Sequence, residues 1–176
     1  MSNHRVEVGP FSFNFADVIL PMGLKVSRVE VKGVGAAVEA KPFALNLVQP
    51  GALTAEVAEA DLTTFLEKQD IGGLHSISVS AKGGKLHVNA KKTLLVDLKI
   101  AAVASLRIVD GRQLWIDVES VDVMGAGAKN LVQSQIDKVN PVLDVADLPV
   151  DTTLQTVEVE GGKVVLRGAV SPPNFQ

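Results

Sequence analysis

Thr93-Leu94-Leu95-Val96-Asp97-Leu98-Lys99-Ile100, continued by Ala101-Ala102-Val103-Ala104-Ser105-Leu106-Arg107-Ile108, alternates. Every even position from Leu94 to Ile108 is apolar, while Asp97, Lys99, Ser105 and Arg107 stand among the odd ones. A period of two marks a strand with one greasy face and one wet face. Beyond Asp110-Gly111 the chain returns through Gln113-Leu114-Trp115-Ile116-Asp117-Val118, so Thr93 to Val123 reads as one long β-hairpin. An outgoing strand running unbroken to Ile108 would measure about 50 Å at ~3.4 Å per residue, against roughly 35 Å for a compact globule of this length. The pattern predicts an elongated molecule with this ribbon as its spine.

The register of the ribbon follows from its apolar face. A three-residue loop sets Ile108 opposite Leu114, Leu106 opposite Ile116 and Ala104 opposite Val118, which keeps the face continuous, whereas a two-residue loop would set Ala104 opposite Asp117. The apolar parity then slips from Val118 to Val121, and one extra residue near Glu119-Ser120, a β-bulge, restores it.

Two further hairpins frame the ribbon. Gly83-Gly84 pairs Ala81 with Leu86 and Val79 with Val88, and Gly161-Gly162 pairs Val159 with Val164 and Val157 with Leu166. Gly-Gly suits a type I′ turn because both central residues need positive φ. The two hairpins echo each other, and duplication or shared turn chemistry would each produce the echo. Upstream, residues 4 to 8, Leu24 to Val31, Val34 to Ala40 and Leu53 to Glu59 read as strands, with a bulge where Val26 and Val29 break parity. Phe43 to Val48, between two prolines, reads as an edge strand. Pro10 to Pro21 reads as irregular and apolar, either a segment packed on the core or part of an apolar mouth. Helical spacing appears twice, in Ala60 to Gln69 with Asp61 as N-cap, and in Ala128 to Asn140, stopped by Pro141. The expected fold class is α+β, a long twisted antiparallel sheet of hairpins wrapped around two short amphipathic helices. The expected organisation is one domain over 1–176, with 1–23 an irregular N-terminal segment.

Composition narrows the function. Aromatic residues are 4% against 47% hydrophobic, so the interior is aliphatic. A net charge of −3 writes no nucleic-acid footprint. Without cysteine there are no disulfides, thiolate metal sites or cysteine nucleophiles. His4, His75 and His87 share no metal-ligand spacing, and His87 falls on the wet face of its strand. Gly125-Ala126-Gly127, before a helix, could hold an anion but lacks the dinucleotide fingerprint and reads better as a strand-to-helix break. No serine has a nucleophile-elbow context. The sequence predicts no enzyme, no cofactor and no metal. Residues 1 to 8 contain no export segment, and no apolar run approaches the ~18 residues of a membrane helix. As written the chain reads as soluble, and a chain trimmed of a leader would read the same, so location stays open.

What remains is apolar sheet face in excess of what two short helices cover. A sheet must bury that face on something: its own helices, a second copy, or an apolar ligand in a groove. Leu98, Ile100, Leu106, Ile116, Val118, Ile136 and Val139 are the expected lining. Lys91, Lys92, Lys99 and Arg107 are candidates for an anionic head group or ordinary solvated charges. Trp115, on the opposite face, is either a membrane-interface anchor or packed under a helix.

The run Leu53-Thr-Ala-Glu-Val-Ala-Glu-Ala-Asp-Leu-Thr-Thr-Phe-Leu66 resembles the strand-into-helix segment of the bacterial LmeA-like phospholipid-binding family. Asn140-Pro-Val-Leu-Asp-Val-Ala-Asp-Leu-Pro-Val150 and Val157-Glu-Val-Glu-Gly-Gly-Lys-Val-Val-Leu-Arg-Gly168 are similar to its closing segment. The likeness covers roughly 24–170. It implies a sheet curled around helices, similar to tubular lipid-binding domains, with a phospholipid or other acyl-chain lipid as partner and peripheral membrane contact. Family members are usually exported or tethered to the membrane. The expected function is non-enzymatic binding of such a lipid in an apolar groove. The alternative is an interaction domain with a closed aliphatic core and no ligand.

Overall fold

The computed structural model describes residues 5–40, 43–93, 95, 97–122, 128–148 and 151–171. Its longest ladder is at the N-terminus. β1 (Arg5–Val8) and β2 (Phe11–Ile19) run out, and β3 (Lys25–Gly33) and β4 (Ala36–Ala40) run back. Arg5 faces Glu39, Phe11 faces Gly33 and Ile19 faces Lys25, one register throughout. At ~3.4 Å per residue the arm from Arg5 to Ile19 spans roughly 50 Å. The Pro10–Pro21 stretch, expected to be irregular, is therefore mostly strand. Its alternation is hidden because the inward parity changes from Phe15 to Val18 on one arm and from Val29 to Val26 on the other. Between them Asp17 takes φ 54°.

β5 (Phe43–Leu47) adds to β4 as an edge strand, completing a three-stranded sheet. β6 (Gly51–Ala58) adds to β3 and runs without a loop into α1 (Glu59–Glu67). Asp61 is not the N-cap; Ala58 is, without a capping side chain. The Glu59 N–H already donates to the Gly162 carbonyl at 3.0 Å. Asp61 instead accepts the Ser27 hydroxyl at 3.0 Å and pairs with Lys25 at 3.2 Å, pinning the helix to β3.

β7 (Leu74–Lys82), β8 (Lys85–Thr93), β9 (Asp97–Val109) and β10 (Gln113–Asp122) form a meander. Gly83 and Gly84 take φ 60° and 75°, and the pairs Ala81–Leu86 and Val79–Val88 are present. Between β9 and β10, Ile108 faces Leu114, Leu106 faces Ile116 and Ala104 faces Val118, and the register shifts between Val118 and Ser120. The expected three-residue loop and bulge are both there. The expected long strand is shorter: β9 has 13 residues and starts at Asp97, which pairs with Thr93. Leu95 is an exposed bend; Leu94, Val96 and Val123 lie outside the described residues, as does Gly125-Ala126-Gly127.

α2 (Ala128–Ile136) packs on β10 and leads to β11 (Leu143–Asp144), a 3₁₀ turn at Val145–Asp147, and the closing hairpin of β12 (Thr152–Glu160) and β13 (Lys163–Val170). The pairs Val159–Val164 and Val157–Leu166 are as expected. Two five-stranded sheets result, ordered β12-β13-β6-β3-β2 and β11-β10-β9-β8-β7. The protein is predominantly antiparallel sheet with two short helices.

Each helix lies along an edge of the second sheet and supplies hydrogen-bond partners to it. On β7 the Val79 N–H donates to Thr63 Oγ1 and the Ala81 N–H to Glu59 Oε2, both at 2.9 Å, from α1. On β10, beyond the short β11, the Val118 N–H donates to Gln133 Oε1 of α2, and Asn140 brackets Ile116 by bonding both its N–H and its carbonyl. Edge groups that would template another chain are thereby used up. The edges of the sheet thus explain why polar Gln133 and Asn140 sit beside an apolar face.

The sheets join along β12. The Gly84 N–H donates to the Val159 carbonyl and the Gly162 N–H to the Ala81 carbonyl, at 3.0 and 2.9 Å. The two echoing hairpins thus hold each other tip to tip through equivalent groups. The Leu154 N–H closes the seam on the Gly111 carbonyl at 2.7 Å.

On the outer face, Lys163 Nζ lies 2.8 Å from Glu56 and bonds β13 to β6. That hydrogen bond holds the Glu56 carboxyl below its ordinary 4.5. A depressed native pKa stabilises the fold above the unfolded value, and the gain is lost as pH falls through the native value. Glu56→Gln should therefore melt below wild type near neutral pH, and the two should converge as pH falls below 4.5, read by thermal melts across that range.

Candidate functional site: an apolar cavity between the sheets

Successive inward residues of the first sheet line up across its strands. One row runs Phe13, Val31, Leu53; the next runs Phe15, Val29, Ala55, Leu166 and Val157. Phe11 lies over Gly33, where an added Cβ would sit 2.3 Å from its ring, and its own ring tilts on Phe13 at a centroid distance of 5.0 Å. Only glycine leaves room for that aromatic on the neighbouring strand.

The rows do not meet a filled interior. Between the two sheets lies a cavity of about 610 Å³. The second sheet contributes Leu86, Leu106, Leu114 and Ile116; α1 contributes Leu62, Phe65 and Leu66; the connector contributes Val142 and Leu143. Phe65 and Leu66 are buried and pack with Val57, Val79 and Val164, so α1 stands between the sheets. The connector is held by Asp144. The side-chain amide of Gln113 and the Ala146 N–H donate to its carboxylate at 2.7 and 2.9 Å and keep its pKa below the usual value.

Among the described lining residues only Thr152 and Ser171 carry polar side chains, and none is ionisable. Among the described residues no group of three or more His, Asp or Glu is placed to hold a metal ion, and no helix is long and apolar enough to cross a membrane.

The opening follows the N-terminal ladder. Val8, Phe13 and Phe15 line the cavity yet are 43%, 53% and 53% exposed, so the inward face of β1 and β2 projects beyond what the second sheet covers. Apolar surface continues along the three-stranded sheet, where Val38 and Leu47 also belong to the lining.

Of the seven residues expected at the site, Leu106 and Ile116 line this cavity. Ile100 and Val118 are buried instead with Val132 under α2, and Ile136 packs against that group. Leu98 and Val139 are half-buried and are not among the lining residues. Sequence reasoning left most of the lining out of the expected site, Val31 and Leu53 among it, and had Phe11, Phe13 and Phe15 only in a stretch read as either packed on the core or part of an apolar mouth. Period-two spacing in Phe11-x-Phe13-x-Phe15 was the signal. Arg107 is withdrawn from any head-group role, since it pairs with Asp117 and covers the Trp115 ring at 5.3 Å. Trp115 is half-buried under it, its Nε1 donating to Gln113.

The protein is thus an antiparallel-sheet protein with an aliphatic space between its sheets, open along an apolar ladder. The chain belongs to the LmeA-like phospholipid-binding family, whose model matches residues 11–169. The match starts at β2, so that part of the N-terminal arm lies within the family region and β1 lies before it. No curated protein and no solved structure matches the chain.

Proposed function

We propose that this protein binds a phospholipid by enclosing its acyl chains in the cavity between the sheets, with the head group at the open side along β2. The observation that carries this reading is the lining: about 610 Å³ bounded by aliphatic and phenyl side chains, with two hydroxyls. The volume falls within the ~300–1,000 Å³ range of small-molecule sites. A closed aliphatic core, the competing reading, would leave no such space.

Magnitudes favour two chains over one. A sixteen-carbon chain gains about 13 kcal/mol on leaving water, at ~0.8 per methylene. Association costs ~4–15 kcal/mol, so one chain is near break-even at the upper figure and two are well clear. A lipid drawn from a bilayer gains far less, because its tails were already in hydrocarbon. Such a site exchanges lipid with membranes instead of acting as a sink.

Gentle mass spectrometry of the purified protein, with organic extraction in parallel, tests the proposal. The expected result is a phospholipid near one per chain. A ligand-free mass that stays unchanged after incubation with liposomes would overturn it.

A further inference from the structure

We propose that Leu95 and the adjoining ends of β8 and β9 form a docking surface for an anionic bilayer. Leu95 lies at the end of those strands remote from the Gly83-Gly84 and Asp110-Gly111 turns, which join the sheets. Leu95 stands there at 102% exposure, the most exposed large apolar side chain among the described residues. An aliphatic side chain held fully in water has no role in the core.

The charges around it are mostly positive, with Asp97 the exception. Lys91 on β8 lies directly across from Lys99 on β9, and His75 on β7 lies across from Lys91. Like charges facing each other across strands destabilise a sheet. Elsewhere on the sheets Lys25, Arg28, Lys85, Arg107, Lys163 and Arg167 have carboxylate partners. Among the described residues no ion pair involves Lys91, Lys92 or Lys99. The local carboxylate, Asp97, accepts a hydrogen bond from Thr93 at 2.7 Å, and Thr93 also contacts the His75 ring. From Lys91 to Lys99 the sequence holds three lysines and one aspartate, a net +2, in a chain of net −3. An exposed leucine with three lysines and one aspartate on the adjoining strand ends, on an otherwise acidic protein, fits the head-group boundary of an anionic membrane. The leucine enters the acyl edge and the lysines meet the phosphates.

This surface does not depend on what the cavity holds. The test is flotation with vesicles of phosphatidylcholine alone and of phosphatidylcholine with phosphatidylglycerol, at low and high salt. Wild type should float with the anionic vesicles, less so at high salt. At about fivefold per lysine, Lys91→Glu with Lys99→Glu should weaken binding by about 25-fold or more. Leu95→Ser should weaken it without altering the salt dependence. Melting curves confirm that the variants fold, since these side chains are on the wet face or, for Leu95, fully exposed. Equal binding to neutral vesicles, or unchanged binding by the lysine variant, overturns the proposal. Capture by heparin without any vesicle binding would do so too, and would put a soluble polyanion in the membrane's place. Lipid content measured on the same samples separates the two readings. Variants that keep co-purified lipid but lose flotation isolate docking, and a ligand-free protein that still floats leaves docking standing while the cavity reading fails.

Discussion

Val31→Trp combined with Leu53→Trp should empty the protein of lipid while leaving it folded. The two residues face each other on β3 and β6, and Phe13 lies across from Val31 on β2. Both side chains are half-buried and line the cavity, yet neither belongs to the clusters of buried residues that hold the sheets together. Two indole rings there occupy space that wild type leaves open, near the mouth and ahead of α1. Because they fill a void, the melting temperature of the lipid-free form should hold or rise. Co-purified lipid should fall about tenfold or more, which needs a loss of only about 1.4 kcal/mol. Lipid retained at the wild-type ratio by a folded variant would mean that the ligand does not use this cavity.

Phe65→Ala should have the opposite pattern, a large loss of stability with lipid binding retained. Phe65 is 7% exposed, packs in the main core cluster and forms part of the cavity's lining. Truncating a buried phenylalanine costs about 3–5 kcal/mol, part of it for the extra void. In a chain of this size each kcal/mol moves the melting temperature by about 2–4 °C, so the lipid-free variant should melt about 10 °C lower. The enlarged space remains apolar, so lipid should still bind and should recover part of the loss, as any ligand of the native state does. Calorimetry of delipidated and reloaded protein reads both effects. A drop of less than about 2 °C would show that α1 is not part of the cooperative core.

Much of the fold was legible where local chemistry and tertiary structure agree. Gly83-Gly84 and Gly161-Gly162 each specify a two-residue turn, and alternation on either side leaves one register. The β9–β10 pairing was fixed by the need to keep Leu106 beside Ile116. β2 was hidden for a local reason: Pro10 interrupts the arm and Asp17, at φ 54°, reverses the parity of the strand. The Asp61 cap was misread because a helix that continues directly from β6 takes its first bond from Gly162, a residue far along the chain. The site was only half legible. Periodicity tells which face of a strand turns inward; it does not tell whether the inside is filled. Ile100 and Val118 have the same pattern as Leu106 and Ile116, but α2 lies over the first pair and open space over the second. That difference depends on where the edge of one sheet overhangs the other, which no single strand encodes.

A lining whose described residues carry two hydroxyls and no charge has a consequence for selectivity. Such an interior is a ruler: it grades guests by length and girth and is indifferent to what is attached to their ends. Residence inside it should be nearly blind to pH and ionic strength, whereas arrival at a charged surface through lysines should be sensitive to both. The two steps of handling a lipid would then answer to separate controls, salt and surface charge for the meeting, chain dimensions for the stay.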